Sequence, residues 1–424
     1  MGGPYLEENL MTRSIRCASW VCVAGLVLMT ASPVVAGSWP QYGGPDQRFV
    51  AETTGLADKW PETGPPVVWS RDLGEGYSSI IASDGVLYTM YRQDGREVVC
   101  AMSATDGTTR WEHRYDAPPA KGHVMQFTAG PRSTPLLSDG MIYSIGVAGV
   151  MHCLDAKDGT VIWKHDLWGE FGGNHLPHGY ASSPFAYKDK VIVLVGGKGH
   201  AIMALNKKTG TTVWQKHDYR NSYSTPKLVE VGGQKQLLCF MASELVSIDP
   251  DNGDLNWSYP HANQWGQNIC LPVVGDNNML LFSSPEVGSR GVRLERHANQ
   301  TEVKEVWSTR KAQFYHVNTL RIGDYVYGSS GALKPCFFMA ININTGKLAW
   351  RERGLAKSTF VYADGKFIIL DEDGMLVLAK ASPQRFDVLS KFKLFDDVAW
   401  TIPTLVGRTL YARDKKKIVA LDLG

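Results

Sequence analysis

The strongest constraint on this chain is an eleven-residue unit that recurs in a single register. Each copy places a glycine four residues before a tryptophan, and a small residue six positions before that glycine. The five clear copies end at Trp111, Trp163, Trp214, Trp257 and Trp350. Weaker copies end at Trp69, Trp307 and Phe392, so successive terminal aromatic residues lie 42 to 52 residues apart. A period in this range is typical of propeller blades and of helical repeat arrays.

Strand and turn signals upstream of each unit separate these two architectures. Apolar, β-rich runs are interrupted by short turns such as Asp84-Gly85 and Asp139-Gly140, and the flanking residues alternate instead of following a helical period. Asp-Gly between β-rich runs indicates a hairpin. Each period therefore predicts four strands in about 45 residues, which is one propeller blade.

The two ends of the chain predict how the ring closes. The last copy begins at Ala420 and stops at Gly424, before its turn and tryptophan, whereas residues 63–69 supply a turn and an outer strand. We expect this N-terminal strand to complete the C-terminal blade and remove its exposed edge. The predicted fold is all-β, an eight-bladed β-propeller of four-stranded antiparallel blades over residues 60–424, preceded by a lead-in at residues 37–59.

Seven of the 13 tryptophans are thereby assigned to the scaffold. One aromatic residue per blade is expected to wedge between neighbouring sheets and to bury about 150–250 Å². The predicted blade-docking residues are Trp69, Trp111, Trp163, Trp214, Trp257, Trp307 and Trp350. The tryptophans outside this register are available for other roles, and they include Trp39, Trp60, Trp168, Trp265 and Trp400.

Residues 1–36 fit an N-terminal extension with a signal peptide. Residues 13–16 carry two arginines, residues 20–30 are apolar, and a small-residue cleavage site ends at Ala36. The apolar run is shorter than the roughly 18 residues that a membrane span requires. We expect cleavage after Ala36, export to the periplasm or the medium, and no transmembrane segment afterwards; Met1 and Met11 both remain possible starts.

The loops that enter the innermost strands are the place to look for function, because loops at one end of a propeller channel converge. Aligned on the repeat, these loops are rich in polar and aromatic residues. The candidate ligand-binding residues at this channel mouth are Arg132, Tyr180, Tyr223, Trp265, Asn268, His316, Lys357 and Trp400. No acidic residue occurs at the strand entries, so we expect a mouth without carboxylates. Serine and threonine hydroxyls there are expected to bond the backbone.

Other chemical motifs are weak. His175 and His178 stand three apart around a proline with no third ligand at a suitable spacing, so no metal site is predicted there. Residues 371–374 are acidic, but a hairpin turn is expected at that position. The formal net charge is +2 and the single basic run is Lys415–Lys417, which argues against nucleic-acid binding. The five cysteines after residue 36 include no Cys-x-x-Cys pair, and a disulfide among them is left open.

The glycine–tryptophan repeat resembles the tryptophan-docking motif of the pyrroloquinoline-quinone-type propellers. This family includes quinoprotein alcohol dehydrogenases and the propeller scaffold of the outer-membrane barrel-assembly machinery, and the resemblance runs from Trp60 to Gly424. It implies the fold. For activity, it implies either a scaffold or a dehydrogenase that holds the quinone and a calcium ion above the channel, with a catalytic aspartate and often an adjacent-cysteine disulfide.

This chain departs from the dehydrogenase pattern. It has no adjacent cysteines, is too short for the long active-site insertions of that family, and lacks an acidic residue at the strand entries. It also departs from the scaffold, which is typically lipid-anchored, because Cys17 and Cys22 lie outside a lipidation context. We therefore expect an exported, monomeric, non-catalytic propeller that binds a protein, peptide or glycan, without a cofactor. The alternative is an alcohol or sugar dehydrogenase that uses pyrroloquinoline quinone with calcium.

Overall fold

The computed structural model describes residues 1–2, 37–118, 122–124, 126–298, 300–330 and 335–424. It separates the chain into two units, residues 1–35 and residues 36–424, and the propeller is the second unit. The predicted signal peptide and its cleavage site lie outside the described residues. No helix in the described part of the chain is long and apolar enough to cross a membrane.

The described residues form 32 strands in eight four-stranded antiparallel sheets. Blade 1 contains β2 (Ile81–Ser83), β3 (Val86–Gln93), β4 (Arg96–Ser103) and β5 (Thr109–Asp116). Blade 2 contains β6 (Leu136–Ser138), β7 (Met141–Ile145), β8 (Val150–Asp155) and β9 (Val161–Asp166). Blade 3 contains β10 (Phe185–Tyr187), β11 (Lys190–Leu194), β12 (Ile202–Asn206) and β13 (Thr212–Lys216). Blade 4 contains β14 (Lys227–Val231), β15 (Gln234–Phe240), β16 (Glu244–Ile248) and β17 (Leu255–Pro260).

The second half of the ring repeats this order. Blade 5 contains β18 (Val273–Val274), β19 (Met279–Ser284), β20 (Gly288–His297) and β21 (Gln300–Thr309). Blade 6 contains β22 (Phe314–Ile322), β23 (Tyr325–Ser330), β24 (Phe337–Asn342) and β25 (Leu348–Glu352). Blade 7 contains β26 (Ser358–Ala363), β27 (Lys366–Asp371), β28 (Met375–Ala381) and β29 (Phe386–Lys393). Blade 8 contains β30 (Thr404–Val406), β31 (Thr409–Arg413), β32 (Lys417–Asp422) and β1 (Val67–Asp72). The prediction of eight blades is confirmed.

The propeller ring closes as predicted from the sequence at the two ends of the chain. β1 pairs antiparallel with β32, and Trp69 stands opposite Ala420. The N-terminal strand therefore completes the sheet that the C-terminal strands begin. Arg413 reinforces the junction between blades 8 and 1, because its buried guanidinium donates to the carbonyls of Met90 (2.9 Å) and Gly74 (3.1 Å).

The residues of the repeat unit form the contact between one blade and the next. The indole of Trp69 lies against the turn of blade 1, where its Nε1 donates to the carbonyl of Ala104 at 3.0 Å. Gly107 occupies that turn with a φ of +72°, and a Cβ there would lie 2.7 Å from the Trp69 ring. Glycine is thus needed both for the left-handed backbone and for the close approach of the preceding tryptophan.

Similar contacts recur around the ring. Trp111, Trp163 and Trp214 lie against Gly159, Gly210 and Gly253 of the following blade, and Trp307 lies against Gly346. The small residue of the repeat stands opposite its own tryptophan, as Ala101 does with Trp111, Cys153 with Trp163 and Ala340 with Trp350. In these three blades the tryptophan therefore has a small side chain as its cross-strand neighbour.

Three seams depart from this scheme. In one of them, the turn of blade 7 contains no glycine, and Trp350 of blade 6 donates from its Nε1 to the carbonyl of Ser382 at 2.8 Å.

The other two departures involve blades 5 and 8. Blade 5 has a long hairpin instead of the tight glycine turn, and Trp257 of blade 4 donates to the Gln236 side chain at 2.8 Å. At the junction of blades 7 and 8, Phe392 replaces tryptophan and lies against Gly64 of the N-terminal segment. Gly64 thus takes the place that Gly107 has in blade 1.

Residues 37–59, predicted as a lead-in, form a strap across one end of the channel. The backbone of the strap bridges to Ala82 of blade 1 and to Tyr362 of blade 7. The Gln47 side chain donates to the carbonyl of Pro226 in blade 4 (Nε2–O 3.0 Å). Because these blades lie on different sides of the ring, the strap spans the channel. Its contacts with blades 1 and 7 lie near the ends of the innermost strands, away from the loops that enter them.

Candidate functional site

The loops that enter the innermost strands surround a pocket of about 620 Å³. Every blade contributes one residue from the same position of its entry loop. These residues, the channel ring, are Tyr77, Arg132, Ala181, Tyr223, Ile269, His316, Lys357 and Trp400. The strap contributes Tyr42 to the same pocket, where its ring makes an edge-to-face contact with Phe49 at 5.4 Å.

The channel ring has a simple sequence register. In five blades it is the third residue before a proline, as Arg132 is before Pro135 and Trp400 before Pro403. Neighbouring hydroxyls bond the backbone, as when Ser182 Oγ donates to the carbonyl of Ser224 at 2.7 Å. An extended backbone turns alternate side chains to opposite sides, so the channel-ring residue faces the channel. In three loops the residue two positions later also lines the pocket: Ser79, Thr225 and Ile402.

Six of the eight predicted mouth residues line the pocket: Arg132, Tyr223, Trp265, His316, Lys357 and Trp400. Tyr180 and Asn268 do not. Tyr180 is fully buried and donates to the Leu194 carbonyl at 2.7 Å, and the Asn268 amide donates to the Met241 carbonyl at 2.7 Å. In both loops the assignment was one residue early, and a one-residue shift moves a side chain to the opposite face.

Several pocket residues escaped the sequence analysis. Tyr77 occupies the channel-ring position and could have been found by alignment with Arg132. Phe127 and Tyr315 lie outside that position and carry no repeat signal. The expectation of a mouth without carboxylates was wrong, because Glu372 lines the pocket from the turn after β27.

Glu372 is held by two neighbours. Trp400 Nε1 donates to Glu372 Oε2 at 3.0 Å, and the ammonium of Lys357 lies 3.5 Å from the same oxygen. The Lys357 ammonium also lies over the Trp400 ring, 5.1 Å from its centroid. Because the side chains of Glu372 and Lys357 are nearly buried, this pair fixes the orientation of the Trp400 indole.

An aromatic wall extends from Trp400 towards the solvent. The ring centroids of Tyr77 and Phe127 lie 5.1 Å and 5.3 Å from that of Trp400. Phe127 is 40% exposed and Trp265 is 45% exposed, so the rim presents large apolar side chains to solvent. Exposed aromatic residues beside cationic groups are typical of binding surfaces.

His316 is a neutral group in this wall. Burial, with smaller contributions from Lys357, His178 and Arg132, holds its pKa well below 6.5. Its ring stacks on Tyr315 with centroids 3.8 Å apart, and its buried Nδ1 has no hydrogen-bond partner among the described residues. The imidazole therefore adds hydrogen-bonding capacity to the pocket without adding charge.

Arg132 supplies the cationic side of the pocket. Its Nη1 donates to the carbonyl of His178 at 2.6 Å and its Nη2 to that of Thr128 at 3.0 Å, which ties two loops together. Burial lowers the pKa of the guanidinium, and nearby Tyr77 and Tyr223 oppose this effect. An arginine remains charged despite such a shift.

Potential metal ligands gather elsewhere. Among the described residues, one group of His, Cys, Asp and Glu places its ligand atoms within 4.8 Å of one another, and it consists of Glu295, His297 and Glu302. This group lies on the long hairpin of blade 5. His297, at the end of β20, and Glu302, on β21, are exposed. His178 lines the channel pocket, whereas the ring of His175 packs on Trp168 at 4.4 Å.

The fold and the repeat define a quinoprotein-like propeller. A family model described as outer membrane protein assembly factor BamB matches residues 95–352, and the chain belongs to this family. Among solved structures, BamB from Moraxella catarrhalis is similar with a TM-score of 0.55 and 19% identity, over 84% of this chain and 97% of that one. A europium-containing methanol dehydrogenase is similar with a TM-score of 0.66 and 14% identity, over 91% and 89% of the two chains. At these identities, the structural likeness concerns the fold alone.

Curated sequence relatives include quinoprotein dehydrogenases. Quinohemoprotein alcohol dehydrogenase ADH-IIG of Pseudomonas putida is 31% identical over 155 residues, which are 33% of this chain and 21% of that protein. Quinohemoprotein alcohol dehydrogenase ADH IIB of Pseudomonas putida is 24% identical over 281 residues, which are 61% of this chain and 39% of that protein. The matches thus span between about a fifth and two fifths of these relatives.

Proposed function

We propose that the protein is an exported, non-catalytic propeller that binds a protein, peptide or glycan at the channel mouth. The observation that carries this proposal is the channel ring. Eight equivalent positions converge on one pocket and hold seven different residue types, and Phe127 and Trp265 extend the apolar surface to the rim. Export is part of the proposal and is supported by the sequence of residues 11–36 and by the assembly-factor family.

Several features of the mouth suit binding. The Glu372–Lys357 pair and the Tyr315–His316 stack hold the aromatic residues in place before a ligand arrives. Rigid aromatic side chains lose little conformational entropy on binding, so more of the contact energy is retained. The strap places Tyr42 in the pocket, so a ligand that enters from the mouth meets a wall deeper in the channel.

Partner capture tests this function. An extract of the source cell envelope is passed over immobilised wild-type protein and over a Phe127→Ala/Trp400→Ala variant. We expect a partner that is retained by the wild-type protein and reduced about tenfold or more with the variant, at a similar melting temperature. A Val213→Ala variant is the matched control, because Val213 is similarly exposed but lies on the outer strand of blade 3. Equal capture by all three proteins would place the binding surface elsewhere.

Quinone-dependent oxidation is the second candidate, and the similarity to quinoprotein dehydrogenases favours it. The donor set disfavours a calcium–quinone centre. Ca²⁺ takes 6–8 oxygen ligands, whereas the described residues that line the pocket include a single carboxylate, Glu372, which already accepts from Trp400 and faces Lys357. Adding calcium and pyrroloquinoline quinone to the purified protein, then recording absorbance and dye-linked alcohol oxidation, decides this case. Stoichiometric binding with turnover would overturn the non-catalytic proposal.

A further inference from the structure

Arg413, which is fully buried, and Arg132, which is partly buried, have very different numbers of hydrogen-bond partners. Arg413, at the junction of blades 8 and 1, donates to five acceptors: the carbonyls of Gly74, Ser78, Met90 and Asp414 and the hydroxyl of Thr89. Arg132, in the pocket wall, donates to two carbonyls among the described residues. A guanidinium has five N–H donors. The donors that Arg413 uses for structure are therefore partly unused in Arg132.

Arg132 also has no direct ion pair among the described residues. Among the described residues, no carboxylate oxygen lies within 4.0 Å of its guanidinium. The nearby buried carboxylate, Glu97, instead accepts from the Val147 amide at 2.9 Å and the Tyr115 hydroxyl at 2.8 Å. Lys357 differs, because it already faces Glu372. Arg132 is partly buried, and charges that are withdrawn from water are normally paired. The pocket wall therefore presents one cation that an anionic ligand group could neutralise.

The surroundings of Arg132 limit the class of anion. Tyr77 is its neighbour in the channel ring, and Tyr77 contacts Trp400, which in turn contacts Phe127. A ligand on Arg132 thus lies beside an apolar aromatic wall that reaches the rim. A phosphate carries about two charges and favours a second cation, but Lys357 is occupied. A carboxylate matches the single guanidinium in charge and in planar geometry.

We infer that the mouth binds a protein segment that places an aspartate or glutamate carboxylate on Arg132 and an apolar side chain against Tyr77, Phe127 and Trp400. This inference rests on the proposed function and specifies its ligand. The exposed Phe127 and Trp265 continue the contact beyond the pocket, which suits an extended peptide that enters the mouth from the solvent.

A random dodecapeptide phage library, selected on the purified protein, tests the inference. We expect binders that combine Asp or Glu with Phe, Tyr, Trp or Leu. Selected peptides are then synthesised with the acidic residue intact or replaced by the corresponding amide, and their dissociation constants are measured by fluorescence anisotropy. On the wild-type protein, the amide peptide is expected to bind about tenfold more weakly. This comparison needs no variant and is unaffected by any folding defect.

Substitutions then locate the carboxylate. Arg132→Met is expected to weaken binding of the acidic peptide about tenfold and to leave binding of the amide peptide unchanged. Arg132→Lys is expected to restore part of the difference in affinity between the two peptides. Arg96→Met is the matched control, because Arg96 pairs with Asp116 on the outer surface of blade 1. Acidic and amide peptides that bind equally, while Trp400→Ala weakens both, would overturn the carboxylate inference and leave the proposed function standing. If the selection yields no peptide whose binding is weakened by substitutions at the mouth, both the carboxylate inference and the proposed function are contradicted.

Discussion

The seams between blades and the channel mouth use the eightfold repeat in opposite ways. At the seams, a tryptophan meets a glycine turn of the next blade again and again, as Trp69 meets Gly107 and Trp163 meets Gly210. At the mouth, the position is repeated eight times but the side chain is not, and Tyr77, Arg132 and Lys357 share one register. The comparison teaches that repetition of residue type builds the scaffold, whereas variation at a repeated position creates a binding surface.

Removal of residues 37–69 is expected to have the largest effect. The deletion takes away the whole strap, Trp69 and the first half of β1, the outer strand of blade 8, and it exposes part of the edge of β32. With a typical stability of about 5–15 kcal/mol, we expect loss of cooperative unfolding and aggregation through the open edge. Circular dichroism melting and size-exclusion chromatography measure this. A soluble monomer with the melting temperature of the chain lacking only residues 1–36 would show that the closing strand is dispensable.

A tryptophan at a seam should contribute more to stability than one at the mouth. Trp111→Ala empties the contact with Gly159 and is expected to lower the free energy of unfolding by about 3–5 kcal/mol. Trp400→Ala removes a half-buried side chain and is expected to cost about 1 kcal/mol. Urea denaturation compares the two variants directly. Equal losses would remove the distinction between scaffold and mouth.

Glycine substitutions separate backbone strain from packing at the seam. Gly107 and Gly95 have φ values of +72° and +79°, but a Cβ at Gly107 would meet Trp69 and a Cβ at Gly95 would meet nothing within 4 Å. Gly95→Ala is expected to cost about 1 kcal/mol, and Gly107→Ala about 2–3 kcal/mol because overpacking adds to the strain. If both variants lose the same stability in urea denaturation, the Trp69 contact adds nothing.

The smallest expected effect is the contribution of His152 to the pH dependence of stability. His152 packs between blades 1 and 2 against His113 and Tyr115, and burial, with smaller contributions from His113 and Lys164, lowers its pKa to about 3. The unfolded chain, with a pKa near 6.5, binds the proton more readily, so stability is full above about pH 6.5 and falls as the pH drops towards 3.

His152→Phe is expected to reduce this loss. Denaturation of both proteins at pH 7.5 and pH 4.5 measures the difference, and groups shared by the two proteins cancel. A variant that loses as much stability on acidification as the wild-type protein would show that His152 is not a source of the pH dependence.

The scaffold was readable from sequence because its signal is periodic. The glycine–tryptophan spacing gave the number of blades, and the incomplete copy at Ala420–Gly424 gave the ring closure. The packing role of the repeat was not readable. Where a tryptophan packs on a glycine turn, as Trp69 does on Gly107, the glycine belongs to the following blade and not to the tryptophan's own copy of the repeat. That contact is a long-range packing relation, which spacing alone does not specify.

The mouth was less readable because its residues differ from blade to blade. Counting back three residues from the proline identifies Ala181 and Ile269 as the channel-ring residues of their loops. The prediction chose Tyr180 and Asn268, one residue earlier. An error of one residue reverses the direction of a side chain on an extended backbone. Glu372 and Tyr42 reach the pocket from a turn and from the strap, so no register of the entry loops could reveal them.

Site-specific photo-crosslinking tests the central claim most directly. A benzophenone amino acid is placed at Phe127, on the rim of the mouth, or at Val213, on the outer strand of blade 3, which has a similar exposure of 46%. After ultraviolet irradiation in the cell envelope, we expect a discrete crosslinked partner from position 127 and none from position 213. The reverse result, with crosslinks from the outer strand and none from the rim, would contradict the assignment of function to the channel mouth.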